Sequence, residues 1–303
     1  MQDAGIKIHP EVAAAISEGA AVVALESTII SHGLPRPQNL LAARAFEELL
    51  RAQNVVPATI AVIAGTPTVG LAEDELELIA NQDIPKASVR DLPILRAKGL
   101  SGATTVAATA YLAAKAGVKV FATGGLGGVH RGASETFDES ADLTTLASAP
   151  VVVVSAGVKS VLDIGATLER MESLSIPVVG YKTDIFPAFW LPTSEFSLDW
   201  KVDGPGEAAE VFRALQAQGS KSALVVANPV PVAEAWDRAE HDAVLEKAFA
   251  AADAQGVRGK EVTPFLLQFI VEASRGRSLE VNLSLARNNV SVAGDIARSL
   301  ASS

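Results

Sequence analysis

No cysteine occurs in this 303-residue chain, which excludes disulfides, zinc–thiolate centres and thiol nucleophiles at once. Basic charge is also in short supply: 25 Lys and Arg stand against 35 Asp and Glu, a formal net charge of −10. Binding along a nucleic-acid backbone needs the opposite balance, so no polymeric nucleic-acid partner is expected. A small anionic substrate stays open, because a local pocket can be positive on an acidic protein. The opening MQDAGIKIHPEV lacks the basic-then-apolar order of a secretory leader. No apolar run approaches the roughly 18 residues of a membrane span. The longest, near residues 21–25 and 151–154, have the length of buried strands. The expectation is a soluble, cytoplasmic protein with no membrane partner.

Low-complexity tethers and internal repeats are missing too, so one domain over residues 1–303 is the simpler organisation. With 49% hydrophobic and 20% charged residues, the chain has the material for a sizeable core. Apolar, β-branched runs predict strands at 21–25, 59–63, 119–122, 151–154, 177–179 and 223–226. Helical periodicity predicts helices over 39–53, 71–80, 104–116, 161–173, 206–218 and 233–255. A further C-terminal helical stretch has Thr263 as its N-cap and Pro264 in its first turn. Strands apolar on both faces and separated by helices imply an α/β chain. The expected architecture is a single-domain α/β/α layered fold around a central mainly parallel or mixed sheet.

Ligands of open α/β sheets sit beyond the carboxyl ends of the strands. That rule selects Glu26, Lys86, the turn that starts at Thr123, Lys159 and Asn228. Lys159 closes the run VVVVSAGVK. It is either an amine released for nucleophilic attack by a dry pocket, or a helix-start lysine with its head in water. Glu26 follows AVVAL and precedes Ser27 and Thr28. It is either a general acid of raised proton affinity or a carboxylate held by neighbouring N–H groups and hydroxyls.

The segment TGGLGGVHRG, Thr123 to Gly132, brings backbone close to a ligand or simply turns; it is not a Walker loop, since GK[ST] is missing. Thr136, Asp138, Ser140 and Asp142 offer hard oxygen ligands for Mg²⁺ or Mn²⁺, or an N-cap with acidic residues in the first helical turn. Ser101 to Thr105 reads as a phosphate cradle or an ordinary cap. Lys86 to Arg90 reads as a cationic clamp or an exposed basic turn. Asn282, Asn288 and Asn289 are poor helix formers, used as caps or for their side chains. Phe186 to Trp190 is either a substrate lid or a packed loop.

In order and wording, these segments resemble one family. ALESTIISHGLPRPQN, IAVIAGTPTVGL, GATTVAATAYLAAKAGVKVFATGGLGGVHRGA, TFDESADL, VVVVSAGVKSVLDIGATLE, GYKTDIFPAF, ANPVP, VTPFLL and SLEVNLSLARNN are similar to the pseudouridine-5′-phosphate glycosidases, which include the indigoidine synthase A-like proteins. The likeness runs from about residue 8 to residue 300. It implies reversible cleavage of the C–C bond between uracil and ribose 5-phosphate through a lysine imine, with Mn²⁺ and a homotrimeric assembly. The resemblance implies Lys159 as nucleophile, Glu26 as proton donor and Asp138 as metal ligand. By the same likeness Lys86, Val106, Ser140, Ala141, Asp142, His130 and Asn282 contact the substrate. Glu139 departs from a position more often apolar in the family. The readings that compete are an imine-forming phosphosugar aldolase or lyase, and a non-catalytic accessory protein of the same fold.

Overall fold

The computed structural model describes residues 5–257 and 262–301. Its strands are β1 (Lys7–Ile8), β2 (Val22–Glu26), β3 (Val56–Ile63), β4 (Thr66–Val69), β5 (Lys86–Ala87), β6 (Gly102–Thr104), β7 (Val120–Ala122), β8 (Val129–His130), β9 (Val152–Ser155), β10 (Leu162–Asp163), β11 (Val178–Tyr181), β12 (Lys201–Val202) and β13 (Leu224–Ala227). The main sheet runs β1-β4-β3-β2-β7-β9-β13-β11-β12, with β6 on β3 and β5 on β6; β8 and β10 form a separate antiparallel pair. From β3 through β12 every neighbouring pair is parallel. Antiparallel pairing in the main sheet is confined to β3 with β4 and β6.

All six predicted strands are present, shifted at their ends by a few residues. Val152–Ser155 and Leu224–Ala227 are buried at every position, as expected of parallel strands covered on both faces. The seven unpredicted strands have two to four residues each, too short for an alternating pattern to register. The six internal helices also stand where periodicity puts them, the last only from Arg238 to Ala254. The C-terminal stretch is two helices, Val262–Ala273 and Arg277–Ala301. Thr263 lies within the described part of the first of these helices and not before it.

Handedness explains the layers. The chain leaves β2 leftward to β3, then returns to the right to form β7 and β9. Right-handed crossovers put helices of opposite direction on opposite faces. Gln38–Ala52 and Pro205–Ala217 accordingly share one face with Arg277–Ala301, which packs on both. Val106–Ala116 packs with Ala141–Leu146 on the other. The reversal opens a crevice between the carboxyl ends of β2 and β7, the usual ligand position of such sheets.

One helix locks the strand ends. Val281, Leu285, Asn289, Ala293 and Ala297 form a buried i, i+4 stripe on the C-terminal helix. Asn289 is fully buried. Its Nδ2 donates to the carbonyls of Thr123 (2.8 Å) and Gly124 (3.2 Å), and its Oδ1 accepts from Asn228 Nδ2 (2.9 Å). Asn288, half-buried, donates to the Pro229 carbonyl alone (3.0 Å). Phe186, Phe189 and Trp190 are buried, and Trp190 packs edge-on against Trp236 and His241. The 186–190 segment is therefore a packed loop and not a lid.

Replacing Asn289 with Leu leaves buried carbonyls and the Asn228 amide without partners, at a cost of about 2–3 kcal/mol. Asn288→Ala costs roughly 1 kcal/mol or less. Chemical denaturation of the two variants beside the unsubstituted protein reads the difference; equal losses would contradict the role given to Asn289.

Candidate active site

The register of the sheet assembles the site. Leu25 pairs with Ala122, and Ala122 with Val154. Glu26 and Thr123 are therefore the next residues on adjacent strands. Thr123 N–H continues the ladder to the Val154 carbonyl (3.0 Å), and Asn228 N–H donates to Ser155 (2.8 Å). On the other side Glu26 pairs with Ile60, Ala61 with Ala103, and Ala103 with Lys86. Lys86 thus reaches the same end of the sheet through two short strands that carry no sequence signature of their own.

Below Glu26 lies a closed hydroxyl network. Ser27 Oγ and Thr104 Oγ1 both donate to the Ile60 carbonyl (2.7 and 2.6 Å), and Thr109 Oγ1 donates to Thr104 Oγ1 (2.9 Å). Thr104 N–H donates to Ser27 Oγ (2.8 Å), and Thr28 Oγ1 to the Thr104 carbonyl (2.8 Å). These hydroxyls bond to each other and to backbone, not to the Glu26 carboxylate. That carboxylate accepts from Thr123 Oγ1 instead.

Glu26 is only 8% exposed, and burial pushes its proton affinity above the ordinary carboxylate range. The positive charge of Lys159, the Thr123 hydroxyl and Lys86 oppose that rise, while Asp142 adds to it. Lys86 is held below the ordinary lysine range by burial of its ammonium first, then by repulsion from Lys159, with Glu26 acting in the opposite direction. As a whole residue Lys86 is exposed, so contact with solvent limits that depression. Three ionisable groups from separate parts of the chain thus feel one another.

Lys159 is half-buried and lies between β9 and β10, not at a helix start. Its position is set by backbone pairing that continues past the strands. Ala156 N–H donates to Gly124 (3.0 Å), Leu126 N–H to Gly157 (2.9 Å) and Lys159 N–H to Leu126 (3.1 Å). Gly157 adopts φ +83°, and a Cβ there would collide with the Pro187 carbonyl. Only glycine serves both demands. Asp142 clamps the opposite wall. Its Oδ1 accepts from Ala107 N–H (2.9 Å) in the first turn of Val106–Ala116, and its Oδ2 from Gly127 N–H (2.7 Å).

The chain as a whole superposes on solved relatives. The prealnumycin C-glycosynthase AlnA, in complex with ribulose 5-phosphate, superposes with a TM-score of 0.92 at 34% identity, over 99% of this chain and 98% of that one. The family described as indigoidine synthase A-like protein matches residues 11–299. This chain belongs to that family. An indigoidine synthase A-like protein of Thermotoga maritima gives a TM-score of 0.88 at 37% identity, covering 98% of this chain and 96% of that one. The chain is also 58% identical to a pseudouridine-5′-phosphate glycosidase of Frankia alni, over 96% of this chain and 81% of the relative. A glycosidase of the same name from Saccharopolyspora erythraea is 56% identical, covering 97% of each.

The other expected residues of this indigoidine synthase A-like chain come from separate elements. Val106 opens its helix behind the N-cap Thr105. Ser140 is the N-cap of Ala141–Leu146, and Ala141 is exposed beside it. Asn282 Oδ1 accepts from Trp190 Nε1 (2.6 Å), which ties it to the aromatic cluster. Asp138 lies apart from Glu26 in the chain's hydrogen bonding, with Oδ2 3.8 Å from His130 Nδ1. Glu139, the departure from the family pattern, pairs with Arg170 (2.9 Å). Arg90 sits beside Asp91 with an almost fully exposed side chain, so it adds no clamp to Lys86.

Among the described residues no three His, Asp or Glu side chains converge as a metal cage. One half-exposed carboxylate with open positions fits a hard divalent cation that keeps most of its water. It does not fit a closed transition-metal site. Two cavities lie elsewhere. One of about 110 Å³, lined by Val22 and Val120, sits at the opposite ends of the strands. One of about 510 Å³ lies past Lys159 between Arg131, Ser160 and Arg238. Neither contains the Glu26–Lys86–Lys159 group, and register and charge coupling locate the chemistry better than open volume does.

Sequence patterns pointed to Thr123 only as the start of a turn; that it holds Glu26 needs the β2–β7 register. Asn289 carried a readable signal, since it interrupts an otherwise apolar stripe on its helix. The raised proton affinity of Glu26 has a consequence for stability. Its native proton affinity exceeds the unfolded one, so native stability falls relative to acid conditions as pH rises above about 4–5. Glu26→Gln removes that dependence. The variant should gain stability against the unsubstituted protein as pH rises from about 4 to 8, read by denaturant midpoints across that range. A constant difference would contradict the burial of this charge.

Proposed function

We propose that this chain cleaves pseudouridine 5′-phosphate reversibly into uracil and ribose 5-phosphate, and that it does so through an imine on Lys159. The observation that carries this reading is the charge-coupled group of Glu26, Lys86 and Lys159 at the β2–β7 crevice. Relatives named for that activity at 56–58% identity support it.

A C–C glycosidic bond has no basic leaving atom, so protonating an oxygen or nitrogen leaving group does not suffice. The two-carboxylate scheme of ordinary glycosidases is not required. In the proposed course the neutral Lys159 Nζ bonds to C1′ as the C1′–O4′ bond opens, and O4′ takes the proton of Glu26. The new ammonium nitrogen returns a proton to the Glu26 carboxylate, and its freed lone pair forms C1′=N while the C1′–C5 bond breaks. The C1′–C5 electron pair goes to the base, whose C5 takes that proton from Glu26. Water hydrolyses the imine, returning the Lys159 amine and ribose 5-phosphate. One water is consumed per bond broken.

Glu26 suits this role because burial raises its proton affinity above that of an ordinary carboxylate. Lys86 places a cation at the same strand ends, where a phosphate needs one. Val106, Ser140, Ala141, Asp142, His130 and Asn282 complete the proposed substrate wall, with Asp142 acting through the backbone it holds. Asp138 would hold a divalent cation, Mn²⁺ by family resemblance, which when bound supplies positive charge to oxygen ligands. We also read residues 1–303 as one domain of a cytoplasmic homotrimer. Apart from the β8–β10 pair, the described strands from Lys7 to Ala227 share one sheet, and no helix among the described residues is long and apolar enough to cross a membrane.

Purified protein with Mn²⁺ should release uracil from pseudouridine 5′-phosphate, followed by ultraviolet absorbance. Borohydride added with ribose 5-phosphate should leave a mass adduct on the peptide containing Lys159. Lys159→Ala should lose both the adduct and at least about 10³-fold in turnover. Near-normal turnover in that variant, or cleavage of phosphosugars without any uracil release, would refute the proposal.

A further inference from the structure

We infer that Thr123 is a positioning residue for Glu26: its hydroxyl occupies Oε1, leaving Oε2 as the oxygen that carries and delivers the proton, and Asn289 holds Thr123 in that pose. The inference rests on the reading of Glu26 as the proton donor.

A carboxyl group with two equivalent oxygens presents its proton in several directions. Thr123 Oγ1 has a single proton, and it donates that proton to Glu26 Oε1. An oxygen that accepts such a bond is the carbonyl oxygen of the neutral acid, so the acidic proton belongs on Oε2. Both residues are inside the protein, Thr123 at 4% exposure and Glu26 at 8%, and water therefore competes poorly for Oε1.

Thr123 has little freedom to abandon the bond. Its N–H is fixed to Val154 (3.0 Å), and its carbonyl is fixed to Asn289 Nδ2 (2.8 Å). Asn289 is itself held by Asn228 (2.9 Å), whose N–H is fixed to Ser155 (2.8 Å). Three successive strand ends and the C-terminal helix thus determine where one hydroxyl points. Lys159, Lys86 and Asp142 also act on Glu26 through charge; the directional contact is the Thr123 hydroxyl on Oε1.

Removing the hydroxyl has two effects. The acid loses its fixed direction, which lowers kcat. The anion also loses a hydrogen bond, so Glu26 holds its proton more tightly and the alkaline limb of the rate profile moves upward. The test is kcat and KM against pH for pseudouridine 5′-phosphate with Mn²⁺, in the full-length protein, for Thr123→Val, Thr123→Ser and Glu26→Gln, with thermal midpoints beside each. Thr123→Val is expected to lose about tenfold or more in kcat with little change in KM, and to move its alkaline limb up by about one pH unit. Thr123→Ser keeps the hydroxyl and should restore both features.

If Thr123→Val and the unsubstituted protein share the same limb and kcat while Glu26→Gln is inactive, the positioning role is wrong and the proton-donor reading stands. If Glu26→Gln keeps full turnover, the proton-donor reading itself is wrong. Should the valine variant fail to fold, Thr123→Ala removes the hydroxyl without a branched replacement and carries the same comparison. An alanine variant with an unshifted limb would likewise overturn the inference.

Discussion

The structure depends on keeping an ionisable carboxyl at the end of a buried parallel strand. Glu26 lies one residue past an apolar run and is almost fully enclosed. Left alone there, it would be neutral and inert, or charged and destabilising. The chain surrounds it with one hydroxyl from the residue after β7, two amines at range and a carboxylate whose own oxygens are tied to backbone. Opposing influences of this kind keep a group able to change protonation state during a reaction.

The rest of the architecture serves that placement. Reversal of strand order between β2 and β7 opens the crevice, and parallel register puts Glu26 beside Thr123. Backbone pairing beyond β7 and β9 carries Lys159 to its position, with Gly157 allowing the close approach of the Pro187 carbonyl. On the far side, two short strands bring in Lys86. The C-terminal helix fastens these ends through Asn289, which explains why a polar residue interrupts its apolar stripe. Much of the glycine-rich turn is structural for the same reason. At Gly127, for example, a Cβ would collide with Ser140, the N-cap of the helix that carries Asp142.

How much of this was legible in the sequence follows from length and range. The six central strands and the intervening helices carry enough apolar pattern to be recognised, because burial on two faces demands it. β5, β6, β8 and β10 have two or three residues and exist through pairing with distant partners, which local pattern does not encode. The strand-end rule holds for Glu26 and Asn228, at the ends of β2 and β13, while Lys159 lies beyond β9 and Lys86 opens β5 instead of following a strand. It did not reveal that Thr123 bonds Glu26, since that contact spans 97 residues and depends on strand order. The 186–190 segment, open between lid and packed loop, is decided by the Trp190–Trp236–His241 contacts, again across long separations.

The account stands most directly on where a phosphosugar sits. A crystal structure of the protein soaked with ribose 5-phosphate and reduced in place should show continuous density from Lys159 Nζ to C1. The Glu26 carboxyl should lie within hydrogen-bonding distance of the opened sugar, and Lys86 should stand beside the phosphate. A sugar phosphate found instead in the cavity between Arg131 and Arg238, with Lys159 unmodified, would contradict it.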